Sequence, residues 1–159
     1  MKEEDETAIL KKFSEGFILS PEHWNTCVLP IDLEWQVQPF ADASKNNIPD
    51  NQGGVYTFLV QPGIANHPAC SYLCYVGKAE KQSLRKRFQQ YLFEKNNAKT
   101  KRFAIRRMLN WWDGHLHFCF APIGNETIIS TVEQLLLDSY IPPFNQQFIG
   151  AVGAPVKAL

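Results

Sequence analysis

Apolar and polar residues follow two kinds of pattern along this chain, and together they predict most of its helices and strands. Three runs rich in β-branched and aromatic residues are typical of strands: Val55–Val60, Ser71–Val76 and His115–Ala121. Four stretches carry apolar residues at helical spacing: residues 1 to about 15, Ser83–Phe93, Arg102–Trp111 and Glu126–Tyr140. We therefore predict an α+β fold, with a small three-stranded, mainly antiparallel sheet flanked by helices.

The first 52 residues have a different character. Between residues 16 and 52 the pattern is irregular and interrupted by prolines, although Leu33–Val37 alternates as a short strand would. A chain of 159 residues is long enough for one core. We predict an N-terminal arm (1–52) packed on a single domain (53–148), followed by a C-terminal tail (149–159).

Charge is distributed unevenly, although the net charge of the chain is zero. From Lys78 to Arg107 there are eleven Lys and Arg residues against two acidic ones, a balance of +9, and the rest of the chain carries −9. Concentrated positive charge suits a polyanion, because each neutralised phosphate releases counterions. A solvated pair of helices is the alternative. The residues that we assign to nucleic-acid binding are Lys78, Arg85, Lys86, Lys101, Arg102, Arg106 and Arg107.

Membrane insertion, secretion and zinc binding find little support in the sequence. No apolar run approaches the roughly 20 residues that cross a bilayer. The acidic start lacks the layout of a secretory signal, so we expect a cytoplasmic protein with no membrane partner. Cys70, Cys74 and a histidine are conceivable zinc ligands, but their spacing matches no common pattern.

Five short motifs, each with polar residues, occur in order on successive predicted strands and helices. Gly54-Val55-Tyr56 opens the first strand, and Tyr75-Val76-Gly77-Lys78 ends the second. The next elements carry Leu84-x-x-Arg87-x-x-x-Tyr91, then Glu133, then Pro142-Pro143-Phe144-Asn145. In this order the set resembles the GIY-YIG nuclease family over residues 53–148. It is similar to the nuclease domain of the bacterial excision-repair incision protein and to GIY-YIG restriction and homing endonucleases.

This resemblance implies a catalytic set: Tyr56, Tyr75, Lys78, Arg87, Tyr91, Glu133 and Asn145. Glu133 would hold Mg²⁺ or Mn²⁺, Tyr56 would activate water, and Arg87 would contact the scissile phosphate. A free phenol has a pKa of about 10, so we expect Lys78 to supply positive charge beside the tyrosines. Asn145 is expected to fix the local fold. The chain departs from the family in two spacings, and one of them makes Arg85 the alternative to Arg87.

The expected function is a divalent-metal-dependent endonuclease that hydrolyses phosphodiester bonds in DNA. A nucleic-acid-binding module of the same fold without useful turnover is the alternative, and the sequence does not separate DNA from RNA. No target-reading domain is visible. Specificity would come from the arm, the loop at residues 61–69, the basic helices, a homodimer or a partner chain.

Overall fold

A computed structural model describes residues 3–64, 67 and 71–145 of the chain. The predicted tail at 149–159, the last residues of the predicted domain and Cys70 lie outside the described residues. The described residues form four strands: β1 (Gln36–Pro39), β2 (Gly54–Val60), β3 (Tyr72–Ala79) and β4 (Leu116–Pro122). The same residues form five α-helices: α1 (Glu3–Lys12), α2 (Pro21–Thr26), α3 (Leu84–Asn96), α4 (Phe103–Trp111) and α5 (Ile129–Tyr140).

The strands form one open antiparallel sheet in the order β1-β4-β2-β3. The α+β class is confirmed, but the prediction of three strands is wrong. The fourth strand, β1, comes from the arm and pairs with β4 in a register that runs from Gln36 opposite Phe120 to Pro39 opposite His117. Its partner lies almost half the chain away, so no local pattern could reveal this pairing.

Helices cover both faces of the sheet, and each face has its own core. Aromatic rings dominate the face that α3 and α4 cover, and the largest buried side chains there include Phe58, Phe88, Phe118, Met108 and Leu109. Aliphatic residues dominate the face that α5 covers, including Val55, Val76, Ile129, Val132 and Leu136. Since side chains alternate between the faces of a strand, neighbouring residues of β2 and β3 enter different cores.

The arm contributes to both cores. Phe40 and Ile48 are buried in the aromatic core, and the aliphatic core is covered by Ile18, Leu29, Ile31 and Leu33. The segment 16–52 is more regular than the sequence predicted, because it also holds α2 and a short 3₁₀ helix at Asp42–Asn47. Within residues 3–64, 67 and 71–145, no helix has the length and apolar character needed to cross a membrane.

Candidate active site

Tyr56 and Gly77 face each other on β2 and β3, and their contact shapes the site. A methyl group at Gly77 would lie 2.5 Å from both the ring and the hydroxyl oxygen of Tyr56, far inside van der Waals contact. Glycine therefore lets the phenol ring pass closely across the backbone of β3. Because β3 is the last strand of the sheet, this contact lies at the edge strand.

Three polar side chains meet at the Tyr56 hydroxyl group. Tyr56 Oη lies 2.8 Å from Tyr91 Oη, and Arg87 donates to it from Nε at 2.9 Å. Arg87 and Tyr91 stand one turn apart on α3, which is why both reach the same atom. Arg87 Nη1 donates to Gln90 Oε1 at 2.9 Å. Among the described residues no acceptor is recorded for Arg87 Nη2, so its two N–H groups can serve a ligand.

The structure separates the two candidate arginines clearly. Arg85 is directed toward the arm, where it donates from Nε to the Ile48 carbonyl at 2.9 Å and from Nη2 to the Asn46 carbonyl at 3.2 Å. It has no recorded contact with the tyrosines of the described chain. Arg87 is thus the arginine of the tyrosine cluster, and Arg85 holds the arm to α3.

Tyr75 extends the cluster along β3. Its ring stacks on Tyr56 with centroids 6.4 Å apart, and Arg102 Nη2 donates to its hydroxyl group at 3.4 Å. Arg102 is positioned by Glu94, whose carboxylate accepts from its Nη1 at 2.9 Å. The guanidinium group also lies 5.5 Å from the Tyr91 ring centroid. Two arginines therefore bracket three phenol groups.

Burial controls the acidity of these phenols. Tyr56 is fully buried, and desolvation raises its pKa well above 10, with further increases from Tyr91 and Tyr75 that Arg87 opposes. Desolvation also raises the pKa of Tyr75 far above its ordinary value. Both phenols are accordingly neutral at physiological pH. Since Arg87 donates to Tyr56 Oη, the phenol proton is free to point toward Tyr91.

A second polar group surrounds Lys78 on the α5 side of the sheet. Lys78 Nζ lies 3.3 Å from Glu80 and 3.5 Å from Glu133, and it donates to Ser130 Oγ. Ser130 in turn donates to Glu80 Oε1 at 2.9 Å. Lys78 pairs with Val55 in the register, one residue away from the Tyr56–Gly77 pair. It therefore points away from the tyrosines, and the expected cation beside Tyr56 is Arg87 instead.

Glu133 connects the two groups electrostatically. Burial raises the pKa of its carboxyl group, while the positive charges of Lys78 and Arg87 lower it and the charge of Glu80 raises it. Arg87 contributes less to this pKa than Lys78 does, since Lys78 is the cation in contact with Glu133 at 3.5 Å. By contrast, hydrogen bonds from Ser130 and Lys78 lower the pKa of the exposed Glu80 carboxyl group.

The donor set fits a hard cation with few protein ligands. Within the described part of the chain, no three His, Cys, Asp or Glu residues are grouped as a metal cage would require. Glu133 nevertheless has a half-buried carboxylate whose desolvation Lys78 compensates only in part. Mg²⁺ is often held by one or two carboxylates, with water and phosphate completing its shell. Glu133 is the residue that would hold such an ion.

Asn145 acts on the backbone of β3. Its Oδ1 accepts from the Val76 amide at 2.9 Å, and its Nδ2 donates to the Val76 carbonyl at 2.8 Å. The neighbouring Phe144 amide donates to the Cys74 carbonyl at 3.0 Å. The side-chain amide thus occupies the place of a fifth strand beside Val76. This geometry agrees with the expected structural role and keeps Asn145 one residue from Gly77.

The remaining basic residues differ in their exposure and in whether they are paired with other residues of the protein. Lys86 and Lys101 are exposed, whereas Arg102 is engaged by Glu94. Arg107 is paired with an acidic residue of the arm at 3.1 Å and lies 4.8 Å from the Trp111 ring centroid. Arg106 has a buried Nε for which no hydrogen-bond partner is recorded among the described residues. Part of the positive charge in this segment is therefore used in contacts within the protein, and the exposed lysines are the residues left for a polyanion.

Several partners of the site residues were not identified from the sequence. Glu80, Ser130, Gln90 and Glu94 each bind one of the expected residues directly. A signal existed for Ser130, because it precedes Glu133 by three residues and therefore shares its helix face. Glu94 had no such signal, since its partner Arg102 lies beyond the end of α3.

Comparison of the chain with family models, with curated proteins and with solved structures finds no match.

Proposed function

We propose that this protein is a divalent-metal-dependent endonuclease of the GIY-YIG type that hydrolyses phosphodiester bonds in DNA. One observation carries the proposal. The hydrogen-bonded Tyr56–Tyr91–Arg87 cluster and the Lys78–Glu133 pair stand at adjacent positions of the sheet, because Tyr56 lies opposite Gly77 and Lys78 is the next residue of β3. Phenol, guanidinium and carboxylate groups in one neighbourhood supply what hydrolysis of a phosphodiester needs.

Arg87 is the phosphate-binding group of this proposal. Its Nε and Nη1 are held by Tyr56 and Gln90, so the planar guanidinium is fixed in orientation before a ligand arrives. Nη2 then presents donors to a phosphate oxygen. Such charge-assisted bonds are short and directional, and they stabilise the extra negative charge of a pentacovalent phosphate.

Glu133 is the metal-binding residue. A bound Mg²⁺ or Mn²⁺ would supply Lewis acidity and charge neutralisation there. Lys78 contributes a positive charge 3.5 Å from the same carboxylate, which opposes the effect of burial on the pKa of Glu133. Ser130 and Glu80 fix the position of the Lys78 ammonium group.

Tyr56 positions and deprotonates the attacking water in this scheme. Its raised pKa means that Arg87 alone does not make it a base at neutral pH. Tyr56 would first lose its phenol proton to hydroxide at alkaline pH, with the positive charge of Arg87 at 2.9 Å favouring the phenolate, and the phenolate would then accept the proton of the attacking water. Activity should therefore rise with pH in the alkaline range.

A nucleic-acid-binding module without turnover is the second candidate, and one observation favours it. Tyr56 is fully buried and its two recorded hydrogen bonds already occupy its hydroxyl group. A phenol in this state holds the aromatic core together without any reaction. The exposed Lys86 and Lys101 would still bind phosphate.

Incubation of the purified chain with supercoiled plasmid and Mg²⁺ or Mn²⁺ tests the proposal. Conversion to nicked or linear DNA is expected for the wild type and for Glu126→Gln, an exposed glutamate just before α5. Loss of cutting is expected for Glu133→Gln, for Arg87→Ala and in EDTA. Binding without cutting of plasmid, single-stranded DNA, branched DNA or RNA would leave the binding module as the function.

A further inference from the structure

A groove of about 560 Å³ lies beside Arg87, along α3 and the segment that leads to α4. Its lining residues are polar apart from Phe93, and three of them are cations that point to a negatively charged ligand: Lys86, Arg87 and Arg102. Glu94 also lines it, but Arg102 neutralises this carboxylate at 2.9 Å. The groove is thus open, positively charged and continuous with the proposed phosphate-binding arginine.

Phe93 is the feature of the groove that phosphate binding does not explain. It is the one aromatic residue among the described lining residues, and 72% of its surface is exposed. No aromatic partner for its ring is recorded in the described chain. Lys86, Gln90, Phe93 and Asn97 follow each other at spacings of three or four, so the ring stands on the same helix face as the polar groups.

We propose that the Phe93 ring stacks on an unpaired base of a DNA strand whose phosphate is held by Arg87. The inference rests on the proposed function and names its substrate class, which is single-stranded or locally unpaired DNA. A phenyl ring on a helix surface can cover only the flat face of a base. In a duplex those faces are covered by the neighbouring base pairs, so the base must leave the stack.

The geometry suits one short stretch of strand. Phe93 follows Arg87 by six residues on α3, which corresponds to about 9 Å along the helix axis. Lys86 lines the groove next to Arg87, and Lys101 is exposed between two lining residues, Thr100 and Arg102, so both lysines can meet phosphates of the strand. A stacking ring between cations is the arrangement that binds single strands without reading their sequence.

The matched control for this ring is Phe103 at the start of α4. It is 73% exposed, almost the same as Phe93, but it does not line the groove. The affinity of wild type, Phe93→Ala, Phe103→Ala and Phe93→Trp is measured in EDTA, so that binding is separated from cutting. The probes are a fluorescein-labelled oligothymidylate, a hairpin duplex of equal charge, and a single strand that carries 2-aminopurine.

Phe93→Ala is expected to weaken single-strand binding by about 5- to 150-fold, the range that loss of one base–aromatic stack produces. Phe103→Ala should change it by less than about twofold, as for an ordinary surface residue. Phe93→Trp should retain the affinity and quench 2-aminopurine. All variants should bind the hairpin duplex with the same affinity as the wild type.

Equal losses for Phe93→Ala and Phe103→Ala, or equal losses on duplex and single strand, would overturn the inference. If the wild type still cuts DNA in an Arg87-dependent manner, that result leaves the proposed function intact. A wild type that neither cuts nor binds any of the probes would instead refute both. Circular dichroism of each variant confirms that a change in affinity is not a loss of fold.

Discussion

Gly77→Ala is the substitution that tests the arrangement of the site most directly. The added Cβ would lie 2.5 Å from the Cζ and Oη atoms of Tyr56 and 2.7 Å from Cε2, so the ring must move. Backbone strain is no part of the effect, because Gly77 is not among the positive-φ glycines. The variant therefore reports on one contact between two side chains.

The magnitude follows from two opposing effects. Forcing extra volume into a packed core costs about 1–3 kcal/mol. The smaller conformational freedom of alanine in the unfolded chain offsets about 0.4–1 kcal/mol. We expect a net loss of about 1–2 kcal/mol in the free energy of unfolding, which lowers Tm by about 2–8 °C in a domain of this size. The displaced hydroxyl group also leaves Arg87 and Tyr91, so cleavage should be lost.

Urea denaturation of a double-mutant cycle measures the contact. In the Tyr56→Ala background there is no ring to displace, so Gly77→Ala should be neutral or stabilising, which gives a coupling of about 1–3 kcal/mol. Gly124→Ala is the control, because a Cβ at this exposed glycine meets nothing within 4 Å. A Gly77→Ala variant as stable as the wild type would refute the close approach of the ring to β3.

Three further predictions concern other parts of the site. Asn145→Ala removes both hydrogen bonds to Val76 and should lower the free energy of unfolding by about 2 kcal/mol; an unchanged urea midpoint would contradict the role of Asn145. Arg85→Ala loses two carbonyl partners in the arm and should cost about 2 kcal/mol, against about 0.5 kcal/mol or less for the exposed Lys86→Ala. The pKa of Glu133 is raised above its ordinary value of 4.5, so the folded state keeps the Glu133 proton to higher pH than the unfolded state does. The contribution of Glu133 to the free energy of unfolding therefore falls as the pH rises above 4.5. The stability of Glu133→Gln relative to the wild type should therefore increase between pH 4 and 7, and a flat difference in urea titrations would rule out the raised pKa.

Local sequence patterns were sufficient for the elements that depend on neighbours in the chain. At the start of the predicted helix, the Asn125 side chain accepts from the Thr127 amide at 3.1 Å. The predicted helix at 126–140 is present from Ile129, preceded by a 3₁₀ turn. Such features depend on hydrogen bonds between residues a few positions apart, so local residue types are enough to predict them.

Contacts between distant segments were the part that the sequence could not supply. The pairing of β1 with β4 depends on how the arm crosses the domain, which no spacing records. The orientation of Lys78 is a different case, because the rule was available. Tyr75 and Lys78 are three residues apart on a strand, so alternation places them on opposite faces. The expectation that Lys78 lies beside the tyrosines overlooked this.

The order of the strands also affects how the chain is made. During synthesis β1 emerges before its partner β4, whose first residue, Leu116, follows Pro39 by 77 residues. At translation rates of about 5–20 residues per second, β1 waits roughly 4–15 s for that partner. The β2–β3 hairpin needs only its own loop and can form during this interval. The nascent chain therefore holds the β1 segment without its partner for seconds, and we expect the arm to join the sheet after the β2–β3 hairpin has formed.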